Sequence, residues 1–120
     1  MNVENMTSNK GNKIANQFII TDSTHQNSTL LKEIRYFQSY DSMIAKIELF
    51  SEKELRHYED QNHSTLETVI TKKVYLDEKY WDYSVTTSKY RNIFLEETKK
   101  ETQKKIDQGI YELTDLNNRG

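Results

Sequence analysis

The sequence predicts an α+β domain in which a small antiparallel sheet packs against one long C-terminal helix. Residues 43–50 alternate between apolar and charged side chains, which is the pattern of a half-buried strand. Residues 66–76 are rich in the β-branched and aromatic types that favour strands. Residues 87–108 contain neither proline nor glycine and repeat apolar side chains at helical spacing in their first half. We expect about three to five strands in a single domain, which is what a chain of 120 residues can form.

Residues 1–30 are predicted to be a polar N-terminal extension, because they are rich in Asn, Ser, Thr and Gln. Such segments bury too little apolar surface to offset the entropy of ordering, so we expect this extension to be mobile. The apolar run Phe18–Ile20 leaves a second interpretation open, a short strand that docks on the sheet. The folded domain is expected to span residues 31–116, and residues 117–120 to form a frayed tail.

The first two predicted strands of the domain, Ile34–Tyr40 and Met43–Phe50, are expected to pair as a hairpin. The first is rich in aromatic residues, and the second places its odd-numbered apolar residues on one face. Asp41 and Ser42 lie between them and favour a turn, since both side chains can hydrogen-bond to nearby backbone.

An insert follows the hairpin. Ser51 and Glu54 fit a capping box, which predicts a short helix over residues 52–60; a mobile loop is the alternative. The next strand is expected over residues 66–76. Its alternation is interrupted at residues 72–73, where a bulge or a turn is possible.

The long helix is expected to begin at Thr86 or Thr87, either of which can serve as its N-cap. It should continue to Gln108 and end at Gly109 in a left-handed conformation. Its second half is polar on all sides, so only its first half is expected to pack against the sheet. Residues 110–113 alternate and are expected to return as an edge strand.

The composition excludes several classes of function. The net charge of −2, from 17 basic and 19 acidic residues, argues against a polybasic nucleic-acid arm. The chain has no cysteine and only three isolated glycines, which excludes disulfides, cysteine nucleophiles and a glycine-rich phosphate loop. His25, His57 and His63 lie in polar surroundings without the spacing of a metal site. We therefore expect a protein that is not an enzyme and that binds no metal and no cofactor.

No segment predicts a membrane span or a signal peptide. The longest apolar run has three residues, Phe18–Ile20, whereas a helix needs about 20 to cross a bilayer. The first 13 residues lack an apolar core flanked by positive charge. We expect a cytoplasmic protein that does not contact a membrane, and no pattern indicates its oligomeric state.

The candidate binding residues are aromatic and basic. The cluster around Trp81 has two interpretations: packing in the core, which is expected for Trp81 and Phe94, or exposure at an interface. Exposed rings beside basic side chains could also stack on unpaired bases. Further candidates lie on the insert and on the charged half of the helix. Together the candidates are Tyr80, Trp81, Tyr83, Lys89, Arg91, Arg56, Tyr58, Lys99 and Lys100.

Two motifs carry a resemblance to a known group of proteins. Tyr83–Leu95 contains Tyr-Ser-x-Thr-Thr-x-Lys-Tyr, three further residues and Phe-Leu, and Ser39–Ala45 contains Ser-Tyr-x-Ser-x-Ile-Ala. They resemble motifs of small, mostly uncharacterised proteins of phages, plasmids and other mobile elements of low-GC Gram-positive bacteria. The resemblance covers about residues 37–115, outside which the polar extension lies, and the insert 51–65 departs from the pattern.

The resemblance implies an accessory protein of a mobile element, located in the cytoplasm of a bacterial host. Such proteins often inhibit a host defence by binding it, as anti-CRISPR proteins do with Cas effectors. We therefore expect a host protein as the partner, such as a Cas9-type nuclease. The alternative is a small nucleic-acid-binding module that uses tyrosine and tryptophan stacking with lysine and arginine contacts.

Overall fold

A computed structural model describes the backbone of residues 1–26, 29–58 and 63–118, and their side chains except those of residues 26, 29–31, 52–58 and 63–68. In this part of the chain, one sheet of six strands is covered on one face by two helices. The strands are β1 (Asn2–Thr7), β2 (Lys13–Gln26), β3 (Thr29–Ser39), β4 (Ser42–Tyr58), β5 (His63–Asp77) and β6 (Tyr111–Thr114). The helices are α1 (Val85–Leu95) and α2 (Lys99–Asp107).

The strands lie in the sheet in the order in which they occur in the chain. Successive strands from β1 to β5 are antiparallel, whereas β6 runs parallel to β5. A parallel neighbour needs a crossover connection, and α1 and α2 supply it between β5 and β6. The α+β class is therefore confirmed, with a larger sheet than expected.

The core lies between the sheet and the helices. Phe37, Ile47 and Leu76 from the three central strands are at most 4 % exposed. Phe94 and Leu95 of α1 pack onto them, and the rings of Phe37 and Phe94 lie 5.8 Å apart. Full burial of each such side chain contributes about 1.5–3 kcal/mol, so these contacts hold α1 on the sheet.

The predicted hairpin is confirmed. Ser39 and Ser42 are register partners in β3 and β4, and the turn between them consists of Tyr40 and Asp41. The turn thus begins one residue earlier than expected, with Tyr40 in the left-handed region at φ 55°. The strand predicted over residues 66–76 is also confirmed as part of β5, and β6 is the expected edge strand.

We expected residues 1–30 to form a mobile extension, but β1 and β2 within this range are strands of the sheet. Both strands pair in it, and the alternative of a strand at Phe18–Ile20 is correct. Met6 and Gln17 are buried, so a few well-placed side chains and the backbone ladder suffice to order this polar segment. Composition underestimated the tendency of this segment to form strands, because it counts apolar residues and ignores their alternation.

The helix predicted over residues 52–60 is wrong, because β4 continues to Tyr58. The register of β4 and β5 runs without a shift from the pair Ala45–Leu76 to the pair Tyr58–His63, so residues 72–73 form neither a bulge nor a turn. A capping box contributes about 1 kcal/mol, which pairing along a whole strand outweighs. Residues 59–62 of the predicted insert lie outside the described residues.

The single long helix is also wrong, because the chain forms α1 and α2 instead. Glu96 ends α1 in the left-handed region at φ 56°, and the backbone N–H of Glu97 donates to Asn92 O at 3.1 Å. Thr98 and Glu101 then form a capping box that begins α2. The N-cap of α1 is Ser84 rather than Thr86 or Thr87, whereas Gly109 has the expected left-handed φ of 74°.

The predicted frayed tail is ordered at Asn117. Its side chain accepts a hydrogen bond from Met43 N at 2.8 Å and donates to Met43 O at 3.0 Å. It therefore pairs with β4 as a strand residue would, and Asn118 follows it in the left-handed region. Residues 119–120 lie outside the described part of the chain.

Candidate functional site

The candidate site is built on the turn that connects β5 to α1. Asp77 is buried at the end of β5, and its Oδ2 atom accepts hydrogen bonds from Lys79 N at 3.1 Å and Tyr80 N at 2.9 Å. Its Oδ1 atom accepts from Leu116 N and from the Asn117 side chain, at 2.9 and 3.0 Å. One carboxylate thus fixes the turn and the C-terminal segment together.

Arg91 anchors α1 to that turn. Its side chain is fully buried and donates to the Trp81 carbonyl, to Asp82 Oδ1 at 3.2 Å and to Asn92 Oδ1 at 2.9 Å. The guanidinium carbon also lies 5.0 Å from the centre of the Trp81 ring. Arginine suits this position because its planar group can donate in several directions and stack on an aromatic ring at once.

Asp82 links the turn to both helices. It accepts hydrogen bonds from Ser88 Oγ at 2.7 Å and forms an ion pair with Lys99 Nζ at 2.7 Å, in addition to that with Arg91. Burial alone would raise the pKa of Asp82, but the hydrogen bonds from Lys99, Ser88 and Arg91 outweigh it and lower the pKa. Asp82 is therefore a charged structural centre.

Above this centre lies an open groove of about 650 Å³. Tyr83 and Val85 form its apolar part and are 49 % and 89 % exposed. Lys89 is exposed on the next turn of α1, four residues after Val85. The complete lining consists of Asp82, Tyr83, Ser84, Val85, Ser88, Lys89, Asn92 and Lys99.

The lining of the groove combines one carboxylate with apolar and basic side chains. Asp82, its one carboxylate, is already engaged by two cations and a hydroxyl group. Among the described residues, no group of three His, Cys, Asp or Glu residues is placed to hold a metal ion. An exposed tyrosine and valine beside lysine amines instead provide apolar contact area and charge.

The structure brings only some of the predicted residues together. Tyr83, Lys89 and Lys99 line the groove, and Lys100 is exposed beside them on α2. Arg91 was predicted to take part in binding, but the structure buries it completely. The side chains of Arg56 and Tyr58 lie outside the described residues.

Two predicted aromatic residues are covered by other side chains. Trp81 is half-buried and packs against the core, as expected. Tyr80 is also half-buried and meets the Tyr83 ring edge to face, with ring centres 5.2 Å apart. Tyr83 thus remains the most exposed ring of this cluster, while its position is fixed by a neighbour.

Sequence reasoning missed the groove residues that are not aromatic or basic. Val85 is 89 % exposed although apolar, and only the location of the N-cap at Ser84 could have placed it on the outer surface. Asp82 and Ser88 were missed because the contacts of Asp82 depend on how α1 and α2 both pack beside the turn.

The two sequence motifs meet inside the molecule. Ser39 Oγ of the Ser39–Ala45 motif and Thr87 Oγ1 of the Tyr83–Leu95 motif are hydrogen-bonded at 3.0 Å, and both residues are fully buried. Ile44 is also fully buried, and Phe94 is 5 % exposed. The motifs therefore describe how α1 docks on the sheet, which is a structural role.

A second polar cluster fixes α2 to β6. Glu97 Oε1 accepts from Tyr111 Oη at 2.6 Å and Lys105 Nζ at 2.8 Å, and Glu97 Oε2 accepts from Thr102 Oγ1 at 2.6 Å. Burial, followed by the hydrogen bond to Glu97, raises the pKa of Tyr111 to about 12. The cluster keeps Lys99 within reach of Asp82 because it orients the helix on which Lys99 lies.

Comparison with known proteins identifies a family. A family model matches residues 1–109, and the matched range includes β1 and β2. Searches of curated proteins and of solved structures find no match. In the described residues, no helix is long and apolar enough to cross a membrane. Because the matched range exceeds half of the chain, the protein belongs to DUF8033, a family of unknown function.

Proposed function

We propose that this protein acts by binding another protein through the groove at the start of α1. The observation that supports the proposal is the exposure of Tyr83, Val85 and Lys89 on a segment whose backbone is fixed by Arg91 and Asp82. Rigid exposed tyrosines are enriched in binding hot spots because they bury a large area at a small cost in entropy. The protein has no catalytic role in this proposal.

The proposed partner is a host-defence protein, in line with the resemblance to small proteins of mobile elements. A Cas9-type effector is the first candidate. Such an effector reads a short DNA motif before cleavage and then changes conformation, so a bound protein could block either step. The exposed amine of Lys89 on the rim favours an acidic surface on the partner, whereas that of Lys99 is paired with Asp82.

Binding can be tested on a sizing column with a purified Cas9-type effector and no added DNA. Tyr83→Ala and Val85→Glu should each weaken the complex by about tenfold or more. Ile110→Glu is the matched control, because Ile110 is 62 % exposed at a distance from the groove and its replacement adds the same charge. The control should bind as the native chain does.

The biological role can be tested by infecting a CRISPR-armed host. Expression of the native chain should allow the phage to form plaques, and the two groove variants should lose this effect. If the chain neither binds an effector nor protects the phage, the partner is wrong. If it does both and the groove variants match the control, the surface is wrong.

The nucleic-acid alternative has less support from the geometry. The Trp81 ring is stacked against Arg91, and Arg91 is fully buried and directed to internal partners. Asp82 would also repel a phosphate near Lys99. Binding of a single-stranded oligonucleotide that weakens steeply with salt would favour this alternative.

A further inference from the structure

The sheet has a second face, opposite the helices, which we call the open face. Alternate residues of a strand point to opposite sides, so the neighbours of the core residues in β2 to β5 belong to it. Both helices pack on the core side, α1 through Phe94 and α2 through Ile106. Two adjacent rows of register partners cross the open face: Ile20, Tyr36, Lys46 and Tyr75, and then Asp22, Ile34, Glu48 and Lys73.

The centre of the open face combines apolar and aromatic side chains with the ion pair of Lys46 and Glu48. Ile20, Tyr36 and Tyr75 are half-buried, and among the described residues they are not part of the core cluster or packed against it. Lys46 Nζ lies 5.8 Å from the centre of the Tyr36 ring and 5.3 Å from that of Tyr75. Its amine also forms an ion pair with Glu48 at 3.0 Å, which holds the aliphatic stem flat between the rings.

The charges at the sides of this face are complementary to those of a second copy. A two-fold axis parallel to the strands, between β3 and β4, would place β2 of one copy over β5 of the other and each row over itself. Asp22, which is exposed, would lie opposite Lys73 of the second copy, which is also exposed. Ile20 would lie opposite Tyr75, and Tyr36 opposite Lys46. An axis perpendicular to the strands would place each strand over its own counterpart and separate Asp22 from Lys73.

The two rows that cross the open face describe a small contact area. Four strands, β2 to β5, are about 19 Å wide, and two alternate residues along a strand span about 14 Å. The rows therefore cover about 270 Å² on each copy, or about 530 Å² in a dimer, so a dimer that uses them alone would be weak. Two sheets packed in this way have their strands within about 30° of each other.

We propose that the open face is the interface of a homodimer, in which two sheets pack face to face about this axis. A second copy suits the face because it supplies the missing layer over the aromatic row and an opposite charge for both Asp22 and Lys73. The axis leaves the groove at Tyr83 on the outer side of each copy. This inference does not depend on what the groove binds.

The test is sedimentation equilibrium of the full chain at micromolar concentrations, with charge-reversal variants. Asp22→Lys and Lys73→Asp should each weaken the dimer by about tenfold, because each places like charges opposite each other. The combined variant should return the dissociation constant to within about threefold of the native value, because the pair is restored in reverse. Lys104→Asp on the exposed surface of α2 is the control and should change nothing.

A dimer that is lost in both single variants and regained in the combined one supports the proposal. A native chain that is monomeric throughout this range overturns it, as does a dimer that responds equally to the control. A monomer that binds a single-stranded oligonucleotide through Tyr36 and Tyr75 also overturns it and assigns the face to nucleic acid. Circular dichroism of each variant separates loss of the dimer from loss of the fold.

Discussion

Replacement of Arg91 by methionine removes the group that joins α1 to the turn before it. The native guanidinium donates to the Trp81 carbonyl, Asp82 and Asn92, and none of its side chain reaches solvent. Methionine has a similar length and can fill most of the same space, so the substitution mainly tests the hydrogen bonds and the charge.

The expected loss of stability depends on which hydrogen-bond donors each acceptor of Arg91 retains after the substitution. Asp82 retains Lys99 and Ser88, so its charge stays compensated after the substitution. Asn92 is half-buried and can turn its amide to water. The Trp81 carbonyl loses this donor, and an unsatisfied buried acceptor costs about 1–3 kcal/mol. With the lost stacking on Trp81, we expect the free energy of unfolding to fall by about 2–4 kcal/mol, at or below the loss for a fully buried pair that is broken.

The assay is urea unfolding at equilibrium, followed by the fluorescence of Trp81, which is the single tryptophan of the chain. Lys89→Met is the matched control, because it makes a similar change two residues earlier on the exposed side of the same helix. Its free energy of unfolding should stay within about 0.5 kcal/mol of the native value. If Arg91→Met unfolds at the same urea concentration as this control, Arg91 does not hold the turn and the groove has no rigid base.

Four further substitutions test other parts of the structure by the same urea assay. Ser39→Ala and Thr87→Val should each lower the free energy of unfolding by about 1–2 kcal/mol, because each leaves one buried hydroxyl without its partner. The double variant should lose less than the sum of the two. An additive result would contradict the hydrogen bond. Glu96→Gly should add about 0.5–1 kcal/mol, because glycine adopts the φ of 56° without strain, and no gain would mean that the hydrogen bonds of the cap depend on the side chain. Glu97→Gln should reduce the loss of stability in acid. Burial alone would raise the pKa of Glu97, but hydrogen bonds from Lys105, Thr102 and Tyr111 outweigh it and lower the pKa below 4.5. The carboxylate therefore stabilises the fold above pH 4.5, and this stabilisation disappears as the pH falls through the pKa of the folded state. An unchanged acid profile in this variant would show that Glu97 is not the group responsible.

The parts of the fold that could be predicted are those with a repeating pattern. The alternation at residues 43–50 predicted which side of β4 faces the core, and Ala45 and Ile47 are buried there. The left-handed Gly109 and the edge strand after it could also be read from single residues and spacing. These signals are local, and tertiary contacts agree with them.

The parts that were predicted wrongly are those where two local signals compete. Thr98 and Glu101 form a capping box inside a segment with high helix propensity, and the absence of proline concealed the break before it. Ser51 and Glu54 have the same spacing, but there the chain continues as a strand paired with β5. The same spacing thus begins a helix at Thr98 but not at Ser51, because only Ser51 lies beside a partner strand.

The candidate site was predictable in its residue types and unpredictable in its geometry. Tyr83 and Lys89 were expected to bind, and both line the groove. Arg91 was a candidate for the same reason as Lys89, but it is buried. The sequence does not indicate which neighbouring residues will contact a basic side chain on a helix. Asp82 decides between these outcomes, since its carboxylate draws Arg91 inward and leaves Lys89 outside.

The Tyr83–Leu95 motif holds residues of both the scaffold and the surface. At its fixed positions Ser84, Thr87 and Phe94 cap α1, bond to Ser39 and fill the core, whereas Tyr83 and Lys89 line the groove. Val85 stands at a position that the pattern leaves open, and it is the most exposed apolar residue of the groove. A change at Val85 therefore alters what the groove contacts at little cost to stability, because no buried group depends on it. The partner should thus be determined at Val85 and its exposed neighbours, on a helix that the fixed positions hold in place.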